Sequence, residues 1–225
     1  GLTWPEWLGE PGTAEATTPP PGLWRVGTAE VPSSPDPQPF PLAVPLLDES
    51  HLQITSTKDT AETAEALVQN LLLRVLSYYQ PGLVRIHVWD VWQLTGTLPS
   101  LYPLTRAGLV TSHDPTRLDD LLEELSDHIR RIHTSALLGG HTSLRSLAEE
   151  TGSRGEPWRI AVLFGHGQQL KDEQQQQLRR VARNGLACGI QLILVDLSMT
   201  VNSALESITL LARDDVRSSM TGENA

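Results

Sequence analysis

The chain has 225 residues, 39% hydrophobic and 20% charged, which fits one large α/β domain or one domain with an irregular extension. Its formal net charge of −10 argues against autonomous nucleic-acid binding, because a protein that grips phosphates by itself presents a basic surplus or stripe. No apolar run approaches the ~20 residues needed to span a bilayer, and no basic-then-apolar start marks a signal peptide.

The single cysteine, Cys188, rules out an internal disulfide and suits a reducing compartment. A cytoplasmic location is therefore expected. Cys188 lies in the apolar run LACGIQLILV and reads as a buried small hydrophobe. A chain that starts at Gly1 rather than Met is expected to be a domain excised from something longer.

Residues 1–41 are rich in Pro, Gly and Thr. Proline fixes φ and removes donors, so a long helix or a central strand is excluded there. Trp4, Trp7 and Trp24 argue against disorder, which is poor in aromatics. An extended arm laid over the core is expected, with LWRVG as a short edge strand. From Leu42 the pattern alternates, and a main domain over 42–215 and a tail over 216–225 are predicted.

Within that domain, LQIT (52–55) reads as a strand. Residues 59–78 read as a helix whose apolar face is Ala64, Leu67, Val68, Leu71, Leu72 and Val75. VRIHVWD (84–90) and LVTS (109–112) read as strands. The next helix begins near Pro115 and presents Leu118, Leu121, Leu122, Leu125, Ile129 and Ile132. Its acids come early and its arginines late, as the helix dipole favours. A short helix near 142–150 follows. RIAVLF (159–164), a helix over 171–185 and IQLILVD (190–196) complete the pattern. Near-continuous apolar strands separated by helices predict a mainly parallel sheet covered on both faces.

Three stretches carry a resemblance to a known family. RVGTAEVPSSPDPQPFPLAVPLLDESHLQI looks like an entry segment ending in the strand before a phosphate loop. RIAVLFGHGQQL looks like a Walker B strand and its exit. VARNGLACGIQLILVDLSMT looks like a helix, a Gly-Arg-Ala turn and the strand after it. Together they resemble the FtsK/SpoIIIE/HerA superfamily of RecA-like motor domains, which includes the EccC-type ATPases of type VII secretion. The resemblance covers roughly residues 23–200. It implies a three-layer RecA-like, P-loop-type α/β fold.

The departures from that pattern concern chemistry. Active relatives have Gly-x-x-x-x-Gly-Lys-Ser/Thr, whose backbone N–H groups close on phosphates and whose hydroxyl holds magnesium. The corresponding stretch here, TSTKDTAET, has no glycine. Asp59 and Glu62 are expected to cap the following helix, placing acids, with Glu65 one turn on, where a phosphate would sit. Lys58 is the one candidate for a surviving phosphate contact. The Walker B strand ends in Gly165, His166 and Gly167 instead of Asp-Glu. His166 could serve as an unusual base, but with no neighbouring carboxylate it suits magnesium poorly. Asp196-Leu197 stands where relatives have Thr-Gln, and Leu186 where they have the Arg of Gly-Arg-Ala.

No histidine spacing matches a zinc motif. His128 and His133 are five apart rather than four, His87 sits within a strand, and His141 follows Gly139-Gly140. No metal site is therefore expected. Arg179, Arg180 and Arg183 form a small basic group that could touch DNA or an acidic partner, or simply face solvent. The resulting expectation is a non-catalytic pseudo-ATPase module with no cofactor, partnered by neighbouring FtsK-like domains or subunits of a larger assembly. The alternative is a working ATPase or DNA-translocase part that binds ATP and Mg through a remodelled site at Lys58, or through one completed in trans.

Overall fold

The computed structural model describes residues 14–29, 38–197, 199 and 206–211. Trp4, Trp7 and the 216–225 tail lie outside them. The alternating apolar segments form one six-stranded sheet. Its strands are β3 (His51–Ile54), β4 (Val84–Asp90), β5 (Val110–His113), β6 (Trp158–Phe164), β7 (Ile190–Val195) and β8 (Ile208–Leu211). Their spatial order is β5-β4-β6-β7-β3-β8, and every neighbouring pair is parallel. β8 adds a strand beyond the predicted set.

A separate antiparallel pair joins β1 (Trp24–Ala29) to β2 (Phe40–Val44). β1 is the edge strand expected from LWRVG, and β2 runs across the 41/42 division. The described part of the first 41 residues is tied to the domain. Ala14 exchanges backbone bonds with Tyr78 and Gln80, and Trp24 is buried, edge-on to Tyr78.

Helices cover both faces, as the strands' double-sided burial demands. α1 (Ala61–Tyr78) buries the six residues that its 3.6-residue period picks out. They pack on Ile54, Ile86, Val88, Ile160, Val162 and Val195. A short helix, α2 (Tyr102–Thr105), and α4 (Leu144–Thr151) are peripheral. On the opposite face lie α3 (Leu118–Thr134) and α5 (Asp172–Asn184), packed on Trp89, Ala161, Leu163, Leu192 and Leu194. Successive residues of β6 and β7 thus feed two cores, the period-2 rule applied to a strand buried on both sides.

Along α3 one predicted position shifts. His128 is buried where Ile129 was expected, and Ile129 is half-buried. The imidazole goes inside because its Nε2 finds the Cys188 carbonyl at 3.0 Å. Cys188 itself is buried, which pushes its thiol pKa up to about 11.

Two buried polar groups lock the amino-terminal end of the sheet. Arg154 and Asp48 form an ion pair with both side chains 3% exposed. Asp48 Oδ1 also accepts from Trp158 Nε1 at 3.1 Å, and the guanidinium lies 3.9 Å over the Trp158 ring. In β3, His51 is fully buried. It accepts the Leu192 N–H on Nδ1 at 2.9 Å, and Nε2 lies 2.9 Å from the Ala182 carbonyl. That pair of partners fixes the neutral tautomer with the proton on Nε2.

The Asp48→Ala variant leaves Arg154 as a buried, unpaired charge and is expected to lose about 3–5 kcal/mol. Asp127→Ala, which breaks an exposed pair with Arg130, should lose less than about 1 kcal/mol. Urea denaturation of both variants checks the contrast. Burial pulls the His51 pKa down to about 4, against the opposing pull of the Ala182 carbonyl. The unfolded chain therefore binds the extra proton between about pH 6.5 and 4. Stability should be full above that window and fall as pH drops through it, by up to roughly 3 kcal/mol from this residue. A urea midpoint that stays flat from pH 7 to 4.5 would contradict this.

Candidate functional site

In an open parallel α/β sheet, ligands bind outside the carboxyl ends of the strands. A cleft of about 500 Å³ opens there, lined by Gln53, Ser56, Lys58, Trp92, His166 and Asp196 among others. The elements that resemble a phosphate loop, a Walker B exit and a final strand do converge. The turn after β3, the Gly165–Gly167 exit of β6 and the Asp196 exit of β7 share this space.

The turn after β3 is held inward. Thr55 N–H donates to Leu211 O at 2.8 Å. Ser56 N–H donates to Asp196 Oδ1 at 2.6 Å, and Ser56 Oγ donates to Asp196 Oδ2 at 2.5 Å. Thr57 N–H donates to Thr60 Oγ1 at 2.9 Å. Three successive backbone donors are thus spent on the protein itself. Asp196 reaches Ser56 from a left-handed backbone conformation, φ 48°, which Asp tolerates better than most residues.

The helix start differs from the expectation. Thr60, not Asp59, is the N-cap of α1, and it makes no side-chain cap bond. Its hydroxyl is turned back to Thr57. Glu62 stays in the first turn, but Glu65 points elsewhere, accepting the Leu98 N–H at 2.7 Å. Self-supplied anions at this site therefore come from Asp196 more than from the helix. Lys58 is exposed on the cleft wall and has no ion-pair partner among the described residues.

His166 does have a neighbouring carboxylate, contrary to the sequence reading. Its Nε2 lies 3.0 Å from Asp90 Oδ1. Asp90 ends β4, the strand beside β6, and parallel register brings Asp90 level with Phe164. That carboxylate is already engaged, by Trp92 N–H at 2.9 Å and Thr97 Oγ1 at 2.7 Å. His166 also stacks on the exposed Trp92 ring, with centroids 3.8 Å apart and planes 7° from parallel. Asp196 on the cleft wall and Asp90, buried behind His166, each stand at the carboxyl end of an apolar parallel strand. An acid in that position is a signal that VRIHVWD and IQLILVD displayed.

The glycines of the β6 exit serve close packing. A Cβ on Gly165 would lie 2.5 Å from Leu197 Cδ1 and 2.8 Å from Asp196 O. Gly165 N–H and Gly167 N–H donate to the Val195 and Asp196 carbonyls at 2.9 and 2.7 Å. These bonds sew the exits of β6 and β7 together. Of the basic trio on α5, Arg183 is paired at 3.1 Å with the buried Glu206. Elsewhere, β4 and β5 bring His87 and His113 into contact beside Glu124, a group that no spacing motif announces.

No protein-family model and no curated protein matches the chain in sequence. Solved structures do match in fold. EssC (ATPases 2 and 3) from Geobacillus thermodenitrificans superposes with a TM-score of 0.63 at 14% identity, over 95% of this chain and 40% of that one. The cytoplasmic domain of EssC gives 0.62 at 12% identity, over 91% and 40%. The cytoplasmic domain of the Thermomonospora curvata type VII secretion ATPase EccC gives 0.59 at 15%, over 84% and 24%. The chain spans less than half the length of each. At these identities the likeness is one of fold: the chain carries the RecA-like α/β fold of the EssC and EccC ATPase domains.

Proposed function

We propose that this domain is a non-catalytic pseudo-ATPase module of a larger, cytoplasmic translocase-type assembly, acting through contacts with neighbouring ATPase domains or subunits. The observation that carries the reading is the Asp196 carboxylate on Ser56. A phosphate placed against the turn after β3 meets a carboxylate that already holds its donors, so like charge and lost hydrogen bonds oppose it together. The residues present fit Mg-ATP poorly. Magnesium takes oxygen ligands in a near-octahedral shell, but Asp90 is buried behind His166, and a metal at Asp196 would compete with the Ser56 bonds to both of its oxygens.

Three further observations support the module reading. One solved structure of the same fold, EssC (ATPases 2 and 3), carries two ATPases on a chain of which this one covers 40%. No helix among the described residues is long and apolar enough to cross a membrane. Trp92, Leu94 and Tyr102 are exposed on the connection between β4 and β5, where another domain could cover them. A DNA-contacting role is weakened by the neutralisation of Arg183 by Glu206.

One observation favours a second reading. Lys58 and His166 line the same cleft, the arrangement a remodelled nucleotide site would need.

Calorimetric titration with Mg-ATP is expected to give no saturable isotherm up to millimolar nucleotide. A clear isotherm that disappears in Lys58→Ala would overturn the first reading in favour of the second. Asp196→Gly deletes the carboxylate while tolerating the left-handed backbone. It should lose about 1–3 kcal/mol of stability and speed hydrogen exchange of the Ser56 amide. Unchanged exchange would show that the Asp196 bonds do not hold the turn.

A further inference from the structure

The parallel register of β4 and β5 pairs His87 with Thr111 and Trp89 with His113. His113 therefore sits one strand across and two residues along from His87, on the same face. The two rings stack with centroids 5.2 Å apart, and His87 Nδ1 lies 3.0 Å from His113 Nε2. Glu124 reaches down from α3, its Oε1 4.0 Å from His87 Nε2. One nitrogen from each ring and one Glu124 oxygen lie within 4.8 Å of one another.

We propose that His87, His113 and Glu124 form a binding site for a divalent transition-metal ion of the zinc class. The geometry comes close to what such an ion requires. Two nitrogens bound to zinc at ~2.0–2.1 Å in a tetrahedron stand roughly 3.3 Å apart, and these stand 3.0 Å apart. The Glu124 oxygen, within 4.8 Å of both ring nitrogens, has to move inward by roughly 1–1.5 Å to reach the ~3.3 Å ligand spacing of such a site. Glu124 can do so, because its side chain is 46% exposed and held only by Arg159 at 3.4 Å. His87 is buried and His113 half-buried, and a neutral imidazole carries one nitrogen lone pair. Each ring therefore has a nitrogen lone pair to offer. At present the contact between them is at most one hydrogen bond; a metal takes its place once the donor ring's proton moves to that ring's other nitrogen, a change of tautomer.

The donor set selects the ion. Two imidazoles and one carboxylate suit zinc, cobalt or nickel and are too nitrogen-rich for magnesium or calcium. Three protein ligands leave a fourth position for water or a small anion. The charges around the site pull both ways. Asp120 and Glu124 favour a cation near His113, and Arg159 opposes one near His87. Arg159 would have to give up Glu124 on metal binding, so a moderate affinity is expected rather than that of a closed structural site. The inference does not depend on whether the cleft binds a nucleotide.

The test uses the full chain, stripped with a chelator and titrated with zinc chloride by calorimetry, then with cobalt(II) by visible absorption. One ion per chain is expected, with cobalt bands of a four-coordinate site. His113→Ala and Glu124→Gln should each lower zinc affinity at least ~10-fold. His133→Ala, at an exposed histidine late in α3, should leave it unchanged, and magnesium should not compete. Should His113→Ala unfold, Glu124→Gln on the exposed face of α3 decides by itself. No saturable uptake at millimolar zinc, or uptake indifferent to Glu124→Gln, overturns the proposal.

Discussion

Asp196 takes both the backbone N–H and the hydroxyl of Ser56, tying the exit of β7 to the turn that follows β3. In a phosphate-binding fold those are the groups that must face outward. A carboxylate is a good internal substitute for a phosphate oxygen: it is anionic, it accepts bidentately, and its hydrogen bonds are charge-assisted. It is already at hand, since β7 lies beside β3 and Asp196 N–H donates to Ile54 O at 2.9 Å; its left-handed φ of 48° is the cost. The same tie lets Gly165 and Gly167 close against the β7 exit, so the floor of the cleft is set by one strand end.

At the far end of the sheet the polar groups play another part. Arg154, Asp48 and Trp158 form a buried cluster. His51 and Gln191 spend their ring and amide atoms on backbone partners. Gln191 alone receives the Leu47 N–H and donates to Ser50 O, satisfying the loop that enters β3. Buried groups of this kind add little net stability when fully paired. Of these, His51 and Gln191 tie the short, four-residue β3 and its entry loop to β7.

Local periodicity made much of this fold legible. The apolar face of α1 was readable residue by residue, because a one-sided helix repeats every 3.6 residues. The strands β4, β6 and β7 stood out as short apolar runs. Three features were not legible for reasons that are equally physical. β8, ITLL, is too short and too far from its partner β3 for a local pattern to show it. The Asp90–His166 contact joins positions 76 apart, and the Asp196–Ser56 contact positions 140 apart. His87 and His113 meet only through strand register, which sequence spacing does not encode. The N-cap of α1 moved from Asp59 to Thr60 because the Thr60 hydroxyl serves Thr57, a local choice that propensity alone leaves open.

The position of β3 also bears on how the polypeptide is made. β3 is an early segment, yet both of its sheet partners, β7 and β8, come from residues beyond 189. On a translating ribosome, at ~5–20 residues per second, β3 waits on the order of ten seconds for its first neighbour. During that time β4, β5 and β6 can already associate, whereas β3 has two bare edges and α1 lacks part of the surface it covers. Until β7 emerges, the nascent chain carries a strand with unpaired N–H and C=O groups on both edges, the feature that invites pairing with other chains.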